Sequence, residues 1–116
     1  MFTAGKKLTN VVWLIDNNKK QLDGTIEQIL PQFDLREKFE AFGFDAVRVN
    51  GNDVAEVYEA LSQEATDKPR AIILDTVKGA GVKEVEDTEF NHSMNVDAEV
   101  FDRWIAEVQA NLDALN

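Results

Sequence analysis

Three short segments constrain this chain most: Val11-Val12-Trp13-Leu14-Ile15 and Ala71-Ile72-Ile73-Leu74, apolar throughout, and between them Ala46-Val47-Arg48-Val49. They are rich in β-branched residues, and polar or glycine-containing turns follow. A strand with one wet face alternates apolar and polar residues; continuous runs predict strands buried on both faces, as in a parallel sheet. The segments between them have helical spacing. Asp34 is a natural N-cap for a helix over Leu35 to Phe42, with Leu35, Phe39 and Phe42 on one face and Gly43 as the stop. Asn52 or Asp53 caps a second helix reaching about Ala65, with Val54, Val57, Tyr58 and Leu61 on its apolar face. Asp97 opens a last helix whose stripe is Val100, Phe101, Trp104, Ile105, Val108, Leu112 and Leu115, a core face or a partner interface. Trp13 and Trp104 are expected in the core. The alternation predicts an α/β fold: three layers, a mostly parallel sheet with helices on its faces.

The remaining segments are less regular. Residues 2–9 suggest the frayed end of a helix and a turn. Residues 17–34 have no sustained period, although Ile26, Ile29, Leu30 and Phe33 would cover one side of a short helical piece interrupted by Pro31. The acidic stretch from Glu84 to Glu89 and the segment up to Asn95 are expected to be solvated loop. Residues 1–116 are expected to form a single domain, which suits a chain of 116 residues.

The net charge of −10, from 22 acids against 12 bases, gives no basic stripe for a nucleic-acid backbone. With no cysteine, thiolate metal sites, disulfides and cysteine nucleophiles are excluded. No apolar run approaches the length needed to span a membrane, and none near Met1 has signal-peptide length. A cytoplasmic protein without nucleic-acid or membrane partners is expected.

In open α/β sheets, ligands gather at the carboxyl ends of the strands. Three loops lie there: Asp16 to Thr25, Asn50 to Asp53, and Thr76 to Gly81. Asp16-Asn17-Asn18 offers the amide and carboxylate oxygens that suit magnesium. The same residues also serve simply to turn the chain. Lys78-Gly79-Ala80-Gly81 lacks the spacing of a phosphate loop, so its glycines are expected to permit a tight path. The acids around Glu84 lack the spacing of a calcium loop.

Four segments, in order, resemble the transketolase family. Leu8 to Thr25, with Asp16, Asn18, Gln21, Asp23 and Gly24, is similar to "L-x-N-L-x-x-x-x-D-x-N-x-x-Q-x-D-G". Lys38 to Phe44 resembles "K-F-x-A-F/Y-G-W". Val49 to Asp53 resembles "V-D-G-H-D", and Pro69 to Val82 resembles "P-x-x-I-x-x-x-T-x-K-G-x-G-V". The resemblance implies part of a thiamine-diphosphate-binding fold and an enzyme that transfers a two-carbon ketol unit between sugar phosphates. It implies thiamine diphosphate and magnesium as cofactors. Asn18 would then be a side-chain ligand of the metal, the Lys20 carbonyl a second ligand, and Leu22 an apolar contact to the thiazolium region. Asp16 would shape the loop by accepting backbone N–H bonds, and Asp23-Gly24 would make the turn. His92, the only histidine, would be the catalytic residue, reaching the active site to help bind or deprotonate the donor substrate, although Ser93-Met94-Asn95 replaces the family's Ala-Pro context.

The family's upstream Gly-Asp-Gly, which gives a further metal ligand, is absent from the chain. The resemblance therefore implies the C-terminal portion of the cofactor-binding domain or subunit, inactive alone. Its partner would be a pyrimidine-binding domain or subunit, and it would form a homo-oligomer. The alternative is a non-catalytic α/β module that dimerises and binds no cofactor.

Overall fold

The computed structural model describes residues 1–115. Its contacts gather into two compact units, Met1–Asn18 with Leu30–Thr76, and Lys19–Ile29 with Val77–Asn116.

The first unit holds helix α1 (Phe2–Gly5), strand β1 (Val12–Asp16), helix α3 (Leu35–Ala41), strand β4 (Asp45–Asn50), helix α4 (Val54–Ser62) and strand β5 (Arg70–Asp75). The strands form one parallel sheet in the order β1-β5-β4. Leu14 and Val47 both register with Ile72 of β5. The three strand ends therefore lie at one edge, as the apolar runs imply. Asp34 caps α3 by accepting from Glu37 N at 3.0 Å, and Asp53 caps α4 by accepting from Ala55 N and Glu56 N. Gly43 follows α3 with a φ of 88°, a left-handed stop that glycine takes at no steric cost.

Burial corrects two expectations. Only the central strand has a fully enclosed stretch: Ala71, Ile72 and Ile73 have no exposed surface. β1 is an outer strand, and Val12, Trp13 and Leu14 are about half exposed. Trp13 is thus no core residue, although its ring meets Phe44 edge-on at 6.2 Å. On α4 the residue that packs inward is Ala60, while Val54 and Tyr58 stand out in solvent. Helical spacing identifies an apolar stripe but not which part of it finds a neighbour.

Arg70 shows why α4 stops at Ser62 rather than near Ala65. Buried at the start of β5, its guanidinium donates to the carbonyls of Ala60 (3.3 Å), Gln63 (2.9 Å) and Glu64 (2.5 Å). A helix end leaves carbonyls without intrahelical partners, and a cation there also suits the helix dipole.

The second unit holds a small antiparallel hairpin, β2 (Lys20–Gln21) and β3 (Gly24–Thr25), then α2 (Ile26–Ile29), α5 (Lys83–Asp87) and α6 (Ala98–Asp113). α5 replaces the solvated loop expected from the acidic stretch. Asp97 caps α6, accepting from Val100 N at 2.9 Å. Trp104 is half-buried, and its indole N–H donates to Glu84 at 3.0 Å. Phe101, Ile105, Val108 and Leu112 are exposed, so the stripe of α6 is not a core face among the described residues.

Candidate functional site

At the carboxyl edge of the sheet the three strands are tied together by side chains. The Asp16 carboxylate accepts from Asn18 Nδ2 at 2.8 Å and from the Thr76 hydroxyl. Asp16 therefore shapes its loop, as expected, but through side-chain donors rather than backbone N–H groups. Asn17, which is buried, donates its side-chain amide to Asp75 at 2.6 Å. Its backbone N–H donates to Leu74 O at 2.8 Å, extending the β1–β5 ladder by one residue. Gly51 lies against β5: a Cβ there would stand 2.5 Å from Thr76 Cγ2 and 2.7 Å from Leu74 Cβ.

Asn18 closes the first unit in sequence; Lys20 and Leu22 belong to the second. Lys19, between the two candidate ligands, has a φ of 62°, a left-handed backbone uncommon outside glycine. Lys20 sits on β2, and its ammonium donates to the carbonyls of Glu86 at 3.0 Å and Thr88 at 2.8 Å, at the end of α5. Leu22 is exposed in the hairpin turn, and Gly24 supplies that turn's positive φ of 143°. Gln21 Nε2 is buried and has no hydrogen-bond partner among the described residues.

His92 is exposed in the loop after α5, where Lys78 Nζ lies 3.2 Å from its Nδ1. A protonated lysine only donates, so this bond leaves the imidazole hydrogen on Nε2. The loop is held by Asn91, whose Nδ2 donates to Lys78 O and Val85 O at 3.1 and 2.7 Å. Gly79 has a φ of 85°, and a Cβ there would meet Val85 Cγ1 at 2.5 Å, so its glycine does permit a tight path. The sequence marks Lys78 only as part of a glycine-bearing loop; its meeting with His92 spans fourteen positions and depends on how the loop closes.

Residues 2–110 match the family profile "Transketolase, thiamine diphosphate binding domain". The chain belongs to the transketolase family. It is 32% identical over 111 residues to a 6-deoxy-6-sulfo-D-fructose transketolase subunit of Clostridium sp. (strain MSTE9), covering 94% of this chain and 40% of that protein. Against a Homo sapiens transketolase it is 35% identical over 115 residues, covering 97% of this chain and 18% of the human one. The fold is similar to that of a transketolase from Pichia stipitis, with a TM-score of 0.63 and 21% identity over 97% of this chain and 20% of that one. The chain thus spans well under half the length of these relatives.

For the transketolase cofactors, the donor set is the test. Magnesium takes an octahedral shell of oxygens. The Asn18 amide oxygen and the Lys20 carbonyl fit it in kind and fill only part of it. Among the described residues no group of three or more His, Cys, Asp or Glu gathers to hold a metal ion. No helix among them is long and apolar enough to cross a membrane.

Proposed function

We propose that the chain is the C-terminal part of a transketolase's thiamine-diphosphate-binding domain, acting within an assembly that transfers two-carbon ketol units between sugar phosphates. The observation that carries this is the family match over residues 2–110, within which the four ordered motifs fall. Asn18 and the Lys20 carbonyl hold magnesium, and Leu22 packs against the thiazolium region. The buried Nε2 of Gln21 is a donor suited to a nearby ligand oxygen. When bound, thiamine diphosphate supplies the electron sink, and the protein's task is to position it. His92, with Nδ1 occupied by Lys78, presents its Nε2 hydrogen to a substrate oxygen, which suits binding rather than proton abstraction. A pyrimidine-binding domain or subunit completes the site, in a cytoplasmic enzyme. The test is a ketol-transfer assay of the assembly with and without thiamine diphosphate. Dependence on the cofactor is expected; its lack would sink the proposal.

A second reading is a non-catalytic module that binds neither cofactor nor metal. It is favoured by the donor set, since the Asn18 amide oxygen and the Lys20 carbonyl fill only part of a magnesium shell. Calorimetry on this chain with thiamine diphosphate and magnesium bears on both. Because part of the metal shell is missing, binding no tighter than about millimolar is expected, and micromolar binding would rule out the second reading.

A further inference from the structure

We infer that Arg48, Asp75 and Asn17 form a brace that aims Asn18; the inference rests on the proposal that Asn18 is a metal ligand. One carboxylate, Asp75 at the end of β5, joins all three strands. Its Oδ1 accepts from Asn17 Nδ2 at 2.6 Å, just past β1. The same oxygen accepts from Arg48 Nη2 at 3.0 Å, and Oδ2 accepts from Arg48 Nε at 2.5 Å. Arg48 comes from β4, and its planar fork grips both oxygens at once, a geometry that lysine's single ammonium cannot reproduce.

The brace acts where the chain leaves the sheet. Asn17 is only 7% exposed and is fixed twice, by its side chain on Asp75 and its backbone N–H on Leu74 O. The direction of the next residue is thereby set. Asn18 then rests on Asp16, which is itself held by Thr76, the residue after Asp75. Asp75, which ends β5, and Thr76, which follows it, thus hold the two residues that precede Asn18. Arg48, Asp75 and Asn17 are positioning residues. Removing the Asp75 carboxylate leaves the buried Asn17 amide without its acceptor, which costs more than the bond itself was worth.

Side-chain amide NMR of the whole chain, with manganese(II) added as a paramagnetic stand-in for magnesium, tests this. In Asp75→Ala the Asn17 and Asn18 side-chain amide signals should move while the backbone amides of Ile72 and Ile73 stay in place. Manganese should broaden Asn18 in the wild type, and Asp75→Ala should need about tenfold more ion for the same effect. Asp75→Glu should restore part of the difference. If Asp75→Ala folds poorly, Arg48→Gln, which removes the fork and keeps the carboxylate, should give a smaller change of the same sign. Unmoved Asn18 signals, or equal manganese demand in wild type and variants, would overturn the brace. Moved signals without any broadening of Asn18 in the wild type would instead overturn its role as a ligand.

Discussion

Gly51 and Arg70 show how much single residues contribute to the sheet's carboxyl and amino edges. Gly51 has no side chain because Thr76 and Leu74 occupy that space, while its N–H donates to Asp75 O at 2.8 Å. Gly51→Ala should therefore lose about 1–3 kcal/mol by overpacking, read as a lower urea midpoint at unchanged slope; an unchanged midpoint would show that β5 gives way freely. Arg70→Met leaves the carbonyls at the end of α4 without their donor and should cost about 3 kcal/mol by the same measurement. From sequence, Gly51 marks the end of a strand, and that much was legible. The reason it must be glycine was not, because the crowding atoms come from Leu74 of β5 and from Thr76 just after it, more than twenty positions away. Arg70 gave no signal at all: an arginine before an apolar run looks solvated until the fold places three carbonyls around it.

Among the elements, the longer strands and helices were legible, and so were the short helical pieces α1 and α2, whereas the hairpin and α5 were not. Asp34, Asp53 and Asp97 each cap a helix as the sequence suggests, since an N-cap is a local bond within four residues. The hairpin β2–β3 has two-residue strands, too short for any period to register. α5 was missed because its support is distant. Glu107 of α6 accepts from Lys83 N at 2.9 Å, and Glu84 accepts from Arg103 at 2.6 Å and from the Trp104 indole at 3.0 Å. Those bonds, Trp104 first and Arg103 second, hold the Glu84 carboxyl below the usual glutamate range. A carboxyl with a lowered folded pKa contributes stability above its unfolded value of about 4.3, and that contribution is lost as the pH falls through the folded value. Trp104 fluorescence in the wild type should therefore change on acidification below about pH 4. Glu84→Gln, still able to accept but carrying no charge, should flatten that acid limb. Superimposable acid limbs would show that the α5–α6 contact does not depend on this charge.

At the level of the whole molecule, exposed apolar surface stands out in each unit. In the first, Val12, Trp13 and Leu14 lie about half exposed on an outer strand; in the second, Phe101, Ile105, Val108 and Leu112 line one side of α6. Such surface normally finds a partner. Sedimentation of the chain should show a dimer or larger species, and a monomer at high concentration would contradict that. The fold class was legible because three strand-like segments, two of them apolar throughout, and their intervening helical spacings agree. The candidate site was marked by motifs, and the hydrogen bonds that join Asn17, Arg48 and Asp75 were not, since these residues are far apart in sequence. The metal-ligand role proposed for Asn18 can be tested on the enzyme itself. The most direct measurement is the magnesium dependence of ketol transfer by the assembly carrying Asn18→Ala. At least about a tenfold rise in the magnesium needed for half-maximal rate is expected; the same magnesium dependence as the wild type would contradict that role.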